Sequence, residues 1–386
     1  MSEDAEQHSS DRQLFIDNFR WIIIVLVLSM HAADTYSPLG SWYFVDRRPI
    51  LMPTLVFFAA WQMYLQAFFM GTLFLIAGYF VPHSLDRKGA LKYVCDRLIR
   101  LGLPVLLYML VIGPVTEYFV AHSWTSSVPT SFAHEWVKHI QNGEVLQENG
   151  PLWFCVALLI LSLTYVVCRA FAPAKPLRAP FVDEPPRAAG LIGLALLIAI
   201  ATFLVRLARP PSIGNLPLRD FAQYIVLFGV GILGARRRWM TQLRLSIGIR
   251  CMAFALGPGL LAWYAMLRSG GFFNGNTSAF FVGLHWQSAA FALWESCTCV
   301  AMCYGFLAVL RAKFDTQGRV AEFMSANAFS VYVFHPPILI LAARLIHGFT
   351  WPSVGMFLTL TVLAVIGSFT LSSTVFRRLP LLQRIL

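Results

Sequence analysis

The chain has 386 residues, 58% of them hydrophobic and only 13% charged, with a mean hydropathy of +0.65. A soluble protein carries about 25% charged residues, so a soluble globular enzyme is excluded and an all-α polytopic membrane protein is expected. The net charge of +11 would point to nucleic acid in a soluble chain; here cytoplasmic loops rich in Lys and Arg account for it, and no nucleic-acid partner is expected.

Residues 1–13 are polar and are read as a flexible cytoplasmic N-terminus, with 14–386 as one integral domain. Ten apolar segments follow, at 15–35, 54–81, 97–120, 151–170, 188–208, 217–235, 248–268, 284–310, 326–346 and 352–375. Each is near the roughly 20 residues that cross a bilayer. The first imitates a signal peptide but follows a polar lead, so it is read as a permanent helix. With both termini in the cytoplasm, 22 Lys and Arg fall inside and 8 outside, which favours that orientation. The inner loop 171–187 is proline-rich and reads as a semi-rigid linker. The outer loop 121–150 holds a short amphipathic piece near His134–Ile140.

The first segment, FIDNFRWIIIVLVLSMHAADTY, carries Asp17 and Arg20 at one end and His31 deep in the apolar run. Eleven positions at helical rise separate Arg20 and His31 by roughly 16 Å, on nearly the same face. An ionisable group inside a span is a functional candidate; the alternative is a histidine near the far interface bonded to water.

The second segment, FFMGTLFLIAGYF, sets Gly71 and Gly78 on one face, where small residues admit a neighbouring helix or a thin ligand. Tyr79 adds a hydroxyl near its cytoplasmic end. Between Arg87 and Arg100 lie five cations, and Arg97 and Arg100 share a helix face at i, i+3. With Arg20 on the same side, three guanidinium forks could hold a phosphate-rich anion; lipid headgroups are the alternative. Glu117 and His122 end the third span on the outer side and could simply be wet.

Gly150-Pro151 reads as a turn that delivers Trp153 to the outer interface, as a belt anchor or a stacking floor for a sugar ring. Glu295 is the deepest acid of the eighth span and must be paired, protonated or facing water. His335 precedes Pro336 and Pro337, which are expected to break the ninth helix and free carbonyls. Cys299 and Cys303 share a face at i, i+4, but no C-x-x-C pair exists, so they read as small filler and no metal site is assigned. Intramembrane His31, Glu295 and His335 behind a basic mouth fit either a membrane-embedded transferase or a proton-coupled secondary transporter. For a transporter an inverted repeat with paired broken helices is absent.

In order along the chain, I-D-N-F-R-W…H-A, FFMGTLFLIAGYF, Arg97-x-x-Arg100 with Leu-Gly-Leu-Pro104, Gly-Pro-Leu-Trp-Phe and Ser-Val-Tyr-Val-Phe-His-Pro resemble the acyltransferase-3 membrane acyltransferases. Within that family the chain looks most like the branch of the glucan biosynthesis C proteins, which succinylate periplasmic glucans. The appended hydrolase-like domain of some O-antigen acetyltransferases is not expected. The resemblance implies a bacterial inner-membrane enzyme. It would move an acetyl or succinyl group from cytoplasmic acyl-CoA to a hydroxyl of an extracytoplasmic glycan, with acyl-CoA as co-substrate and no resident cofactor. It carries over His31 as the essential histidine, a general base or a covalent acyl carrier, and Arg20, Arg97 and Arg100 as holders of the CoA end. Asp17 would orient Arg20, and Glu295 or His335 would assist His31.

Overall fold

The computed structural model describes residues 13–40, 42–46, 48–121, 131–146, 148–171, 187–210 and 215–383. Among them ten helices are long and apolar enough to cross a bilayer, and there is no β-strand. They are α1 (Leu14–Tyr36), α2 (Met52–Lys88), α3 (Ala90–Tyr118), α5 (Trp153–Phe171), α6 (Ala188–Ala208), α7 (Phe221–Arg236), the pair α8 (Leu245–Leu256) and α9 (Pro258–Ser269), α10 (Trp286–Lys313), α11 (Arg319–Ile346) and α12 (Ser353–Thr374). A short α4 (Phe132–Gln141) is the amphipathic piece expected in the long loop. The proline-rich linker and His122 lie outside the described residues.

Glycine sets the closest helix contact. A Cβ at Gly78 would meet the Phe228 carbonyl oxygen at 2.1 Å, and one at Gly231 would meet that of Leu75 at 2.1 Å. The glycine face of α2 is therefore spent on α7, the packing alternative of the two raised by the sequence. Gln223 Nε2 donates to the Ala67 carbonyl at 2.9 Å along the same seam. Centre and rim also separate: 78% of the most apolar window of α10 is buried, against 22% for α6, so α10 is the core helix.

Two spans depart from regular α-geometry. Pro258 cannot donate to the Phe254 carbonyl, and the expected seventh span is two helices meeting at Gly257. In α3, wider π-turns occupy Leu98–Gly102 and Tyr108–Ile112. By contrast α11 does not break at Pro336 and Pro337; it runs unbroken from Arg319 to Ile346. That corrects the expected helix break. The missing N–H of Pro336 does orphan the Tyr332 carbonyl, but a side chain repairs it, as described below.

The start of α1 is fastened by a distant loop. The Phe15 amide donates to Asp315 Oδ1 at 3.0 Å, doing the work of a missing N-cap, and Asn18 Nδ2 donates to the carbonyls of Phe314 and Thr316 at 2.7 and 2.9 Å. This fixes the depth of every later side chain on α1, including both Arg20 and His31.

Candidate functional site

His31 and His335 meet in the bundle. Their rings are parallel within 12°, with centroids 5.3 Å apart, and Trp42 lies over His31 at 3.7 Å and 16°. His31 stands one turn before the end of α1, and Trp42 comes from the segment that follows it. The ring does not face lipid: it lines a cavity of about 430 Å³ with Trp42, Tyr43, Glu117, Glu148, Gly150, Pro151, Trp153 and Asn215.

Two hydrogen bonds choose the tautomers. His31 Nδ1 lies 3.2 Å from Asp34 Oδ2, one helical turn on. Asp34 Oδ1 accepts from Gln62 Nε2 at 2.6 Å, and Gln62 Oε1 accepts from Ser37 Oγ at 2.9 Å. A carboxylate that accepts at both oxygens requires the donor at Nδ1, so the His31 Nε2 lone pair is free. His335 Nδ1 lies 2.8 Å from the Tyr332 carbonyl, the one that Pro336 leaves without a helix donor. It too carries its proton on Nδ1, and its buried Nε2 has no partner among the described residues.

A second cavity of about 320 Å³ opens at the other end of α1. Asp17, Arg20, Arg97 and Ser325 stand at its mouth, and it runs inward past Ile24, Leu73 and Leu158 to Phe154 and Tyr332. Its size falls in the usual range for small-ligand pockets. Arg20 Nη1 pairs with Asp17 Oδ1 at 3.2 Å and its guanidinium lies over Phe80 at 5.2 Å; Arg97 lies over Tyr93 at 5.0 Å. Arg100 is exposed and absent from this lining. The π-turn that starts at Leu98 widens the helix and rotates Arg100 off the face it was expected to share with Arg97. Tyr79 is buried beside the cavity, its hydroxyl accepting from Gln13 Nε2 at 3.4 Å.

One wall separates the two cavities. Tyr332 lines the basic one, and its hydroxyl donates to the carbonyl of Pro151, which lines the other. Trp153 faces the His31 side and the adjacent Phe154 the basic side. Gly150 makes the turn possible: its φ is +48°, and a Cβ there would lie 2.4 Å from the Tyr108 ring. Trp153 also stacks on Tyr224, at 5.6 Å and 28°.

Glu295 does not join His31. Its carboxylate takes the Arg206 guanidinium at 2.6 Å, with Asp220 at 3.7 Å and the Phe291 ring beneath the cation. Arg206 is in the last turn of α6 and only 2% exposed. A buried cation needs a buried anion, so Glu295 is committed to holding α6 against α10. Glu117, at the outer end of the third span, lines the His31 cavity.

Asp34 and Gln62 were not singled out by the sequence reading, although an acid three residues after a buried histidine, on the same helix face, was a visible signal. Trp42 and Tyr332 carried no local signal: their roles depend on a loop folding back and on a contact across 181 positions.

No match to the chain is found among the curated proteins or among the solved structures. A family model described as an acyltransferase domain matches residues 13–373, and the chain therefore belongs to the acyltransferase-3 family of integral membrane proteins.

Proposed function

We propose that this membrane acyltransferase takes its acyl group, acetyl or succinyl, from cytoplasmic acyl-CoA and delivers it to a hydroxyl of a glycan on the other side of a bacterial inner membrane. The observation that carries the reading is the pair of cavities sharing one wall. One has arginines at its mouth and the other has an oriented imidazole among tryptophans and acids. The excess of Lys and Arg on one side supports an arginine mouth facing the cytoplasm.

The phosphates of CoA would rest on Arg20 and Arg97, with Asp17 setting the Arg20 fork, and the pantetheine arm would follow the apolar row inward. Tyr79, buried beside the cavity, and Arg100, exposed and off its lining, would lie outside the direct CoA contacts. The acceptor sugar would stack on Trp153 or Trp42, as apolar sugar faces do on aromatic rings. His31 Nε2 takes the hydroxyl proton while the oxygen attacks the thioester carbon. The tetrahedral intermediate then expels the thiolate, the C–S bond breaks, and the proton passes to sulfur. Asp34 holds the resulting imidazolium; His335 Nε2 offers a second acceptor beside it.

The test is purified protein with acetyl-CoA or succinyl-CoA and a set of glycans, with released CoA thiol measured. His31→Ala should abolish acceptor-dependent release at normal expression. Substantial turnover by that variant removes His31 from the mechanism. Release that never depends on a glycan removes the acceptor class.

A further inference from the structure

Outside the proposed chemistry, three residues from separate parts of the chain converge at the edge of the His31 cavity. They are Glu117 near the end of α3, His139 on α4, and Glu148 in the loop leading to Trp153. One ligand atom from each lies within 4.8 Å of the other two. Two carboxylates this close repel unless a proton or a cation lies between them.

The histidine decides between those two. His139 is 6% exposed. Its Nδ1 is engaged by Glu144 Oε2 at 3.2 Å, which places the proton on Nδ1. That leaves the Nε2 lone pair buried, with no partner among the described residues, and Glu148 Oε2 is buried without one as well. Leaving such acceptors dry and unpaired costs about 1–3 kcal/mol each, which a shared proton between the two acids would not recover for the imidazole. A carboxylate on one ring nitrogen with the other left open is the usual outer support of a metal-bound histidine. The short helix is itself tied down, because Trp136 Nε1 donates to the Leu110 carbonyl at 2.7 Å.

We propose that Glu117, His139 and Glu148 bind one divalent cation of the zinc class, with Glu144 orienting the histidine. One imidazole and two carboxylates suit Zn²⁺, and three protein ligands leave a fourth position open. Zinc bonds of about 2.0–2.2 Å put ligand atoms about 3.3 Å apart, so the glutamates would draw in by an ångström or so. Glu117 and Glu148 also line the cavity that holds His31, so the open position faces that space. Charge supports the assignment: within a chain of net charge +11, this wall presents acids.

The experiment uses the full chain in detergent, purified through a tag without histidine, stripped with a chelator and titrated with Zn²⁺ alone. Bound metal is counted by mass spectrometry, and the thermal midpoint is followed in parallel. The expected result is one Zn²⁺ per chain and a raised midpoint. His139→Ala should weaken binding at least 100-fold, and Glu144→Gln by about 10–100-fold. Glu148→Gln serves if the alanine variant does not fold. A wild-type chain that takes up no stoichiometric zinc and shows no midpoint shift overturns the site, as does unchanged affinity in a folded His139 or Glu148 variant. None of these readouts depends on acyl transfer, so the site and the catalytic reading fail separately.

Discussion

Replacing Asp34 by Asn tests the His31 orientation most sharply, because it changes one atom and almost no volume. Gln62 Nε2 donates to Asp34 Oδ1 at 2.6 Å, so the new amide must turn its oxygen toward Gln62. Its NH2 then faces His31 Nδ1, where Asp34 Oδ2 sat at 3.2 Å. Two donors cannot meet, so the His31 proton moves to Nε2 and the free base is lost. Turning both amides over would escape this, but Ser37 would then accept from the Gln62 amide and its own O–H, which now donates to Gln62 Oε1, would lose that acceptor, at about 1–3 kcal/mol. A positioned general base contributes roughly 10²–10⁴-fold, or about 2.7–5.5 kcal/mol, and the Asn variant should lose kcat by that factor. KM for acyl-CoA should hold, since the arginine mouth is untouched. The assay is CoA release at saturating acceptor, with circular dichroism to confirm folding. Adding Ser37→Ala to Asp34→Asn removes the obstacle to the flip and should restore part of the rate. A folded Asp34→Asn enzyme within about threefold of wild-type kcat would refute the proposed dyad.

Arg97→Ala should raise KM for acyl-CoA by about 10–100-fold, the worth of a charge-assisted contact, while Arg100→Ala, exposed and off the cavity, should move it less than threefold. Equal effects would place the CoA head elsewhere. Tyr332→Phe deletes the hydroxyl that closes the wall onto Pro151, and acceptor-independent thioester hydrolysis should rise several-fold as water crosses; a leak at the wild-type rate would mean that the wall is held by packing alone. Glu295→Gln leaves Arg206 buried without its nearest anion and should destabilise the bundle by about 3–5 kcal/mol, read as a lower thermal midpoint in detergent. An unchanged midpoint would return Glu295 to the list of residues free to assist His31.

What could be read without coordinates follows the range of the interaction. The ten spans were readable because each is a local run of apolar residues. Arg20 and His31 could be set at opposite depths because one helix carries both, and helical rise converts spacing to distance. Gly150-Pro151 was readable as a turn because a Gly-Pro pair is a local turn signal. Pairing across helices was not readable. The partner of Glu295 lies 89 positions away, and nothing near Arg206 in the sequence marks it as its buried partner. Arg100 was misplaced for a subtler reason: the i, i+3 rule assumes regular α-geometry, and a π-turn begins between the two arginines. The proline pair was misread in the same way. The rule that proline costs a hydrogen bond held, but the inference that the helix must break did not.

That lost bond ties the two cavities together. Pro336 orphans the Tyr332 carbonyl, and the orphaned carbonyl captures Nδ1 of His335, which fixes the ring parallel to His31. The hydroxyl of the same Tyr332 closes the wall onto Pro151. One residue therefore holds the second imidazole with its backbone and the wall with its side chain. A thioester pushing on the Tyr332 ring from the arginine side would strain both contacts at once. On the proposed mechanism, opening the wall would also release His335, and the two imidazoles would loosen when an acyl group arrives. Pro336→Ala separates the two: the restored amide would satisfy the carbonyl, free His335 and leave the wall bond in place. The expected result is a fall in acceptor-dependent rate without the hydrolytic leak of Tyr332→Phe. If both variants leak alike, the wall and the imidazole are not coupled through this residue.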